Sequence, residues 1–420
     1  MQFGLKNSPP QSATHSLVAV VGISSLLLAL AWLKFNPQFA SNTIGLAVFL
    51  MIVPFVSMAS FELVWQKVHL RESTGLNFAQ HEFSIQRVLT KYVGLLGTIG
   101  FLAFLYWLFP EYKGNFYDHF YSLAKVAIPI WLIIALPYFF WIDSKMVDPH
   151  DGYWQAGLLF SGRLKKIDRQ KLLQHTLGWL IKGYFFPLMF TYAVNNLGEF
   201  LRTDYQLVSF KAIYDFAYFF LFFVDVILAS MGYFISVRLL DNHIRSSEPT
   251  MSGWLVALVC YEPFWSMINQ NYLRYHNDIT WGAWLFDYPL WYTIWGSLIL
   301  SCLVVYVWAT VMFGTRFSNL THRGIITNGP YRWTKHPAYI FKNLSWWLIA
   351  VPFLADKPWD VNLRACLLLL GLNLIYFARA KTEERHLSKD PTYQAYAHWI
   401  SEYGLLANIK RLFKAPAQSH

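Results

Sequence analysis

The sequence predicts an all-α, polytopic integral membrane protein with about ten transmembrane helices. Of the 420 residues, 55% are hydrophobic and only 14% are charged, and the mean hydropathy is +0.32. A soluble domain normally carries about a quarter charged residues. The apolar residues also form blocks of about 20, the length of helix that crosses a bilayer. Tryptophan and tyrosine side chains stand at the ends of many of these blocks, at the level of the lipid headgroups.

Ten candidate spans follow one another along the chain. The seventh is short and is interrupted by Glu262-Pro263, so it either crosses the membrane or forms a re-entrant or interfacial segment. The spans lie at about residues 16–33, 43–64, 88–109, 124–142, 176–196, 212–236, 252–268, 287–313, 338–354 and 361–377.

Basic residues decide the predicted orientation. With the N-terminus in the cytoplasm, the loops at 65–87, 143–175, 237–251 and 314–337 and the C-terminal tail carry most of the lysine and arginine residues, as the positive-inside rule requires. Both termini are therefore predicted to be cytoplasmic, in a plasma or inner membrane or in the endoplasmic reticulum. The net charge of +10 is explained by these basic loops, which face anionic lipid headgroups, and does not indicate a nucleic-acid partner.

Polar side chains inside the predicted spans are candidates for function, because they are costly in hydrocarbon. Asp225 lies in the middle of the sixth span, and Lys182 is a possible partner for it. A structural ion pair and a role in binding substrate or an ion are both open interpretations. Cys260, Cys302 and Cys366 all lie in apolar segments and show neither a disulfide framework nor metal-type spacing. We predict no metal site.

Two polar segments near the C-terminus concentrate the chemistry. They cover residues 313–348 and 377–399 and flank a short helical hairpin, so both emerge on one face of the membrane. Pro337 suits the first turn of a helix, which places His336 beside backbone N–H groups that favour an anion. Arg379 and Glu383 are expected to open a cytoplasmic helix and to share one of its faces. A cation beside a carboxylate fits a ligand that carries both charges, such as the amino-acid end of S-adenosylmethionine.

These segments resemble the isoprenylcysteine carboxyl methyltransferase family and its phospholipid N-methyltransferase relatives. The resemblance rests on Gly-Pro-Tyr-x-x-x-Lys-His-Pro-x-Tyr at 329–339, the hydrophobic hairpin, Arg-x-x-x-Glu-Glu-x-x-Leu at 379–387 and Tyr-x-x-Tyr at 393–396. Lys335 stands where the family usually has arginine, which keeps the charge but loses the bidentate fork. The order and spacing of the motifs make the set specific, although each motif alone is weak.

The resemblance implies a role for each matching residue. S-adenosyl-L-methionine is the implied cofactor, and a lipid or lipid-anchored molecule is the implied methyl acceptor, methylated on a carboxylate or an amine. His336, Arg379 and Glu383 are the implied catalytic residues, with Arg379 also next to the acceptor. The implied cofactor-binding residues are Arg323, Gly324, Ile325, Ile326, Tyr331, His336, Pro337, Ala338, Tyr339 and Glu383.

The predicted organisation has two parts. Residues 1–285 form a multi-span membrane region of unassigned role, and residues 286–420 form the methyltransferase-like module. Two other functions stay open at this stage. One is a sterol-reductase-like, NADPH-dependent membrane enzyme, and the other is a transporter or scaffold whose C-terminal module has lost its activity. The sequence does not indicate an oligomeric state.

Overall fold

The computed structural model describes residues 8–79, 82–203, 205–275, 279–354 and 358–414, and these form an almost entirely helical protein. The α-helices are α1 Ser16–Phe35, α2 Thr43–Ser60, α3 Ile85–Leu108, α4 Asp118–Asp143, α5 Gly152–Phe160, α6 Arg169–Arg202, α7 Phe210–Phe234, α8 Met251–Leu258, α9 Phe264–Asn271, α10 Trp281–Trp284, α11 Pro289–Val311, α12 Pro337–Ala350, α13 Trp359–Leu387, α14 Pro391–Tyr403 and α15 Leu405–Lys414.

Short elements connect the long helices. A π-helical turn at Phe61–Trp65 extends α2. Two strands of two residues each, β1 Ser246–Ser247 and β2 Thr321–His322, pair antiparallel. The 3-10 turns are Pro37–Ser41, Val68–Leu70, Glu72–Thr74, Pro110–Lys113, Asn115–Tyr117, Leu164–Lys166, Arg238–Leu240, Gly314–Arg316 and Gly329–Arg332.

Eight helices in the described part of the chain are long and apolar enough to cross a membrane, namely α1, α2 with its π-helical turn, α3, α4, α6, α7, α11 and α13. This confirms a multi-pass helical membrane protein, but not ten continuous spans. The predicted seventh span is broken into α8 and α9 around Glu262-Pro263. The predicted ninth span is α12, which has only 14 residues, fewer than the roughly 20 of a full crossing.

The described residues before and after the broken seventh segment lie at opposite ends of α7. At its start, β1 pairs with β2 beside Asn319, whose backbone N–H donates to the hydroxyl of Tyr233 at the end of α7. At its far end, Trp281 packs against Tyr214 at the start of α7, with 4.7 Å between ring centroids. The two ends are therefore separated by about 28 Å of helix, and this chain segment spans the length of α7.

Another boundary also differs from the prediction. Arg379 and Glu383 do not open a new helix, because α13 continues without a break from Trp359 to Leu387. The uninterrupted helix holds both side chains rigidly at the end of the hairpin.

The main hydrophobic core lies between α1, α2, α6, α7 and α11. Buried ion pairs join elements that are distant in sequence. Glu62 at the end of α2 pairs with Arg316, and both side chains are fully buried. Lys91 in α3 pairs with Asp143 of α4 at 2.7 Å. Asp225 is not paired with Lys182, as the sequence suggested, but accepts a hydrogen bond from Tyr306 of α11 at 2.6 Å.

Candidate active site

The loop between α11 and α12 is held in place by a buried guanidinium. Arg323 donates to the carbonyl oxygens of Gly232, Ile235 and Asn242 at 2.5 to 2.6 Å, and to that of Phe317 at 3.2 Å. Burial and the nearby charge of Arg316 lower the pKa of Arg323 to about 9. All of these hydrogen bonds go to backbone carbonyls of the loop, of the end of α7 and of the segment after it. The guanidinium of Arg323 is therefore structural, and this residue could contact a cofactor only through its backbone or its apolar side-chain atoms, which line the cavity.

The N-terminal segment fastens the same loop from outside. The backbone N–H of Ala13 donates to the carbonyl of Ile325 at 2.8 Å. Thr327 donates its hydroxyl to the carbonyl of Pro10 at 2.7 Å, and the Asn328 amide donates to the carbonyl of Thr14 at 2.8 Å. We call residues 10–14 the N-terminal strap. The strap covers the strip that the sequence assigned to the cofactor.

The turn that follows leads directly into α12. Gly329 has a φ of +56°, a left-handed conformation that favours glycine, and the turn continues as the short 3-10 helix Gly329–Arg332. Tyr396 of α14 donates its hydroxyl to the carbonyl of Tyr331 at 2.7 Å. As expected from the sequence, α12 begins at Pro337 with His336 at its N-cap.

The two adjacent acidic residues of α13, Glu383 and Glu384, have different partners. Glu384 receives a hydrogen bond from Lys335 at 2.8 Å and lies 3.1 Å from His336 Nε2 and 3.1 Å from Lys381 Nζ. Glu383 accepts a hydrogen bond from the Tyr339 hydroxyl. It lies 3.4 Å from Arg379 Nε and 3.8 Å from His336 Nδ1. Glu384 is therefore neutralised by basic side chains of the protein. Glu383, by contrast, has one carboxylate oxygen, Oε2, whose contact is a long one of 3.8 Å to His336.

Arg379 is buried inside the site and held by polar and aromatic contacts. Its guanidinium donates to Asn319 Oδ1 at 2.5 Å. Its central carbon lies 5.0 Å from the ring centroid of Tyr339 and 5.4 Å from that of Tyr261. Cation–π contacts of this kind are strongest where water is excluded. The guanidinium is thus fixed in position rather than free to swing.

One cavity joins these groups, with an empty volume of about 1320 Å³ that includes its open mouth. Of the predicted site residues, only Pro337 does not line it. The lining members are Arg323, Gly324, Ile325, Ile326, Tyr331, His336, Ala338, Tyr339, Arg379 and Glu383. The structure therefore brings together in one cavity nearly all of the residues singled out in the sequence.

Several lining residues were missed by sequence reasoning. Tyr261 comes from the broken segment after α8, Tyr306 from α11 and Tyr376 from α13. Lys342 of α12 lies over the rings of Tyr306 and Trp346, with Nζ at 5.2 and 5.5 Å from their centroids. It forms no hydrogen bond or ion pair with a described residue. Two sequence features could have indicated these residues. The helix break at Glu262-Pro263 lies beside Tyr261, and Lys342 is a lysine within a short apolar helix.

The cavity has two chemically different ends. The end near the strap and α14 combines the apolar wall of Ile325, Ile326 and Leu387 with the carboxylate of Glu383. Thr321 Oγ1 and the Tyr393 hydroxyl also line the cavity and are buried without a hydrogen-bond partner among the described residues. Such orphaned groups are uncommon unless a ligand or water completes them. This end suits a flat, partly apolar ligand with an amino-acid group.

The other end begins at Glu383, 3.4 Å from Arg379 Nε, and is aromatic and cationic. Tyr261, Tyr306, Tyr339 and Tyr376 surround the two cations Arg379 and Lys342. Two positive charges in a confined, tyrosine-lined space favour an anionic ligand group over a cationic one. Asp225 lies behind Tyr306, which donates a hydrogen bond to it, and its charge also acts on Lys342.

Comparison with known proteins agrees with this geometry. Residues 290–389 match the model of the isoprenylcysteine carboxyl methyltransferase (ICMT) family. This range runs from the start of α11 past the end of α13 and contains every predicted site residue. The family resemblance predicted from the motifs is thereby confirmed for the C-terminal module, which is of a methyltransferase type in a multi-pass membrane protein. Comparisons with curated proteins and with solved structures give no match.

Proposed function

We propose that the protein is an integral-membrane methyltransferase that uses S-adenosyl-L-methionine to methylate a lipidic or lipid-anchored acceptor on a carboxylate group. The single observation that carries this proposal is the cavity itself, because it joins an end suited to the cofactor to an end with two cations. The family match supports the reaction class. It gives no support to the NADPH-dependent or transporter alternatives.

At the cofactor end, Glu383 would hold the amino group of the bound molecule, and Ile325, Ile326 and Leu387 would contact its adenine. Tyr339 orients Glu383 by donating a hydrogen bond to it. His336 is held by Glu384, which leaves its other ring nitrogen facing Glu383. When bound, S-adenosylmethionine supplies an electrophilic methyl group that a carboxylate oxygen accepts without a general base.

At the acceptor end, Arg379 and Lys342 would bind and orient the carboxylate. Holding two reactants at near-attack distance is worth about 7–11 kcal/mol in well-oriented cases, and it is the main task left to the protein in this reaction. The tyrosine walls exclude water and so strengthen these polar contacts. An amine acceptor carries a positive charge of its own before it is deprotonated, and the two cations would repel it.

Cofactor binding is the first test. The full-length protein in lipid nanodiscs should bind radiolabelled S-adenosylmethionine, and NADPH should not compete. Glu383→Ala and His336→Ala should each weaken binding by about tenfold or more, because each removes a charged or polar contact. Glu402→Ala is the matched control, since Glu402 lies on α14 outside the cavity and pairs with His398. Unchanged binding in the two site variants would show that the site is assigned wrongly.

The acceptor class is tested by the chemistry of the product. Host membranes are incubated with the protein and deuteromethyl-labelled cofactor, and the labelled lipids are identified by mass spectrometry. A methyl ester loses its label in mild base, whereas an N-methyl group keeps it. We expect base-labile label that disappears with Arg379→Met. Base-stable label would instead establish the N-methyltransferase alternative.

A further inference from the structure

A second cavity lies outside the candidate active site, within the region N-terminal to it. It is bounded by α3, α4, α6 and the segment 234–246, and its empty volume is about 2240 Å³ including its open mouth. One face of α6 lines it from Lys171 to Lys182, a distance of about 16 Å along the helix axis. The cavity is therefore tall enough for a molecule that enters from the loop face and reaches into the membrane region.

Two cations that line this cavity, Lys182 and Arg238, have no carboxylate partner among the described residues. Lys182 Nζ lies 5.1 Å from the ring centroid of Trp179 and forms no hydrogen bond or ion pair with any described residue. Arg238 donates to the carbonyl of Thr74 at 2.9 Å but has no acidic partner in the described part of the chain. His243 Nδ1 and Arg245 Nε are buried without hydrogen-bond partners there.

The acidic residues nearby are already engaged. Asp148 pairs with Lys171 at 2.5 Å, and Asp151 lies 3.7 Å from Lys91. Asp241, behind the wall, pairs with Arg245 at 3.0 Å. The surplus around Lys182 and Arg238 is thus positive. In agreement, burial and the surrounding arginines hold the pKa of His243 well below its usual value.

The rest of the cavity wall is apolar. The face of α4 from Trp131 to Ile142 lines it opposite α6, together with Leu95 of α3 and Phe55 of α2. Trp131 and Trp179 pack against each other with 5.9 Å between ring centroids. An unpaired lysine beside such a wall is expensive within a membrane protein, and a bound anion would offset that cost.

We propose that this cavity binds an amphiphile with one anionic head group, a phosphate or a carboxylate, and an apolar tail. The head is held between Lys182, Arg238 and His243, and the tail lies against the α4 face. The site is separate from the active site, because the strand β1 and its neighbours stand between the two cavities. The proposal does not depend on the methyltransferase assignment.

Native mass spectrometry of the full-length protein tests the proposal with dodecyl phosphate as the probe. We expect one tightly held dodecyl phosphate per chain. Inorganic phosphate, which lacks the tail, and dodecanol, which lacks the charge, should not displace it. Lys182→Met should weaken binding by about tenfold or more, because a charge-assisted contact is lost, while Lys182→Arg should retain it. Lys125→Met is the control, since Lys125 is exposed on α4 outside the cavity.

Two further measurements, cofactor binding and photo-crosslinking, distinguish loss of the amphiphile site from misfolding of the variant. Binding of S-adenosylmethionine should be unchanged in Lys182→Met, which shows that the variant is folded and separates this site from the active site. If that variant does not fold, a diazirine-labelled dodecyl phosphate is crosslinked to the wild-type protein, and the labelled peptides should come from 131–142 and 171–182. Equal affinity of Lys182→Met, displacement by inorganic phosphate or dodecanol, or crosslinks confined to 313–399 would overturn the proposal.

Discussion

Within the candidate active site, the existing contacts of each side chain indicate which residues are available to bind a ligand. Glu383 and Glu384 are adjacent on α13, yet Lys335, Lys381 and His336 all contact Glu384. Glu383 has Tyr339 and a long contact to Arg379. A carboxylate with unsatisfied capacity is the better ligand for a cofactor amino group. In the proposed site, Glu384 would position His336, which it contacts at 3.1 Å.

The role of Tyr339 can be tested by removing one oxygen atom. Tyr339→Phe keeps the ring under Arg379 but removes the hydrogen bond to Glu383. Hydrogen bonds to charged groups contribute about 1.5–3 kcal/mol, so we expect the affinity for S-adenosylmethionine to fall by about tenfold or more. Isothermal titration calorimetry measures this. Tyr403→Phe on α14 is the control, and an equal loss there would mean that the effect is not specific to the site.

The histidine of β2 predicts a pH dependence of stability. Burial, with smaller effects of Arg245 and His386, lowers the pKa of His322 to about 4, although Asp390 at 3.2 Å opposes this shift. The unfolded chain has the ordinary value near 6.5 and so binds more protons than the folded one between about pH 6.5 and 4. Stability therefore falls as the pH falls through this window, by up to about 1.4 kcal/mol per pH unit for one group.

Thermal unfolding between pH 7 and 3 measures this effect, because the folded-state pKa of His322, about 4, lies inside this range. His322→Gln should make the loss of stability with acid shallower than in the wild type. Asp390→Asn should make it persist to lower pH, because the carboxylate that raises the pKa of His322 is gone, while asparagine still caps α14. The same slope in all three proteins would contradict the assignment.

At the level of elements, the N-terminal strap supports the predicted cofactor strip. Pro10, Ala13 and Thr14 are more than 300 residues away in sequence from the loop that they contact. Arg71 donates to the carbonyl of Ala13 at 2.8 Å and so anchors the strap to the rest of the N-terminal region. The N-terminal helices therefore contribute to the shape of the site without lining the cavity.

Weakening the strap should weaken cofactor binding. In a variant with Thr327→Val and Asn328→Ala, two hydrogen bonds to the strap are lost, each worth about 0.5–1.5 kcal/mol. We expect faster amide hydrogen exchange in residues 10–14 and a severalfold lower affinity for S-adenosylmethionine. Thr203→Val, which removes a hydroxyl bond to Glu199 at the far end of α6, is the control. Faster exchange with unchanged affinity would show that the strap does not support the site.

The helical hairpin shows what local sequence signals determine. Proline at 337 and the turn residues 328–330 predict where α12 begins, because their backbone limits are local. The end of the hairpin is harder to predict, since nothing at 377–379 stops a helix, and α13 continues past the predicted end of the span at residue 377 to Leu387. The composition changes there from apolar to charged, but a helix does not have to end where the hydropathy changes.

For the whole molecule, the class and most spans were predictable, because hydropathy and loop charge are properties of single segments. Nearly all predicted site residues line one cavity, since the motifs and the hairpin topology constrain them. Long-range packing determines three features that the hydrophobic periodicity of the sequence does not encode. These are the strap, the tyrosines around Arg379 and the partner of Asp225. The assignment of 1–285 and 286–420 as separate parts stays a prediction, although α7 and α11 pack within one core.

The path of the broken segment decides the topology of the whole chain. If 251–288 did not cross, α11 would begin on the face where α7 ends, and the loop 313–336 would lie on the opposite face. In the structure, however, that loop pairs with the segment that follows α7 through β1 and β2. Both segments are therefore on one face, whereas Trp281, which follows α8 and α9 in the chain, packs at the other end of α7.

Cysteine labelling in sealed vesicles of known orientation tests this path. In a background with Cys260, Cys302 and Cys366 replaced by alanine, Ser252→Cys and Asp287→Cys are placed before and after the broken segment, at positions that are both exposed. A membrane-impermeant maleimide should label Ser252→Cys from the side that also labels Glu402→Cys on α14, and Asp287→Cys only from the opposite side. The reason is the length of α7, about 28 Å of helix between the two ends. Labelling of both cysteines from the same side would place the segment as re-entrant and would require that the loop 313–336 be reassigned.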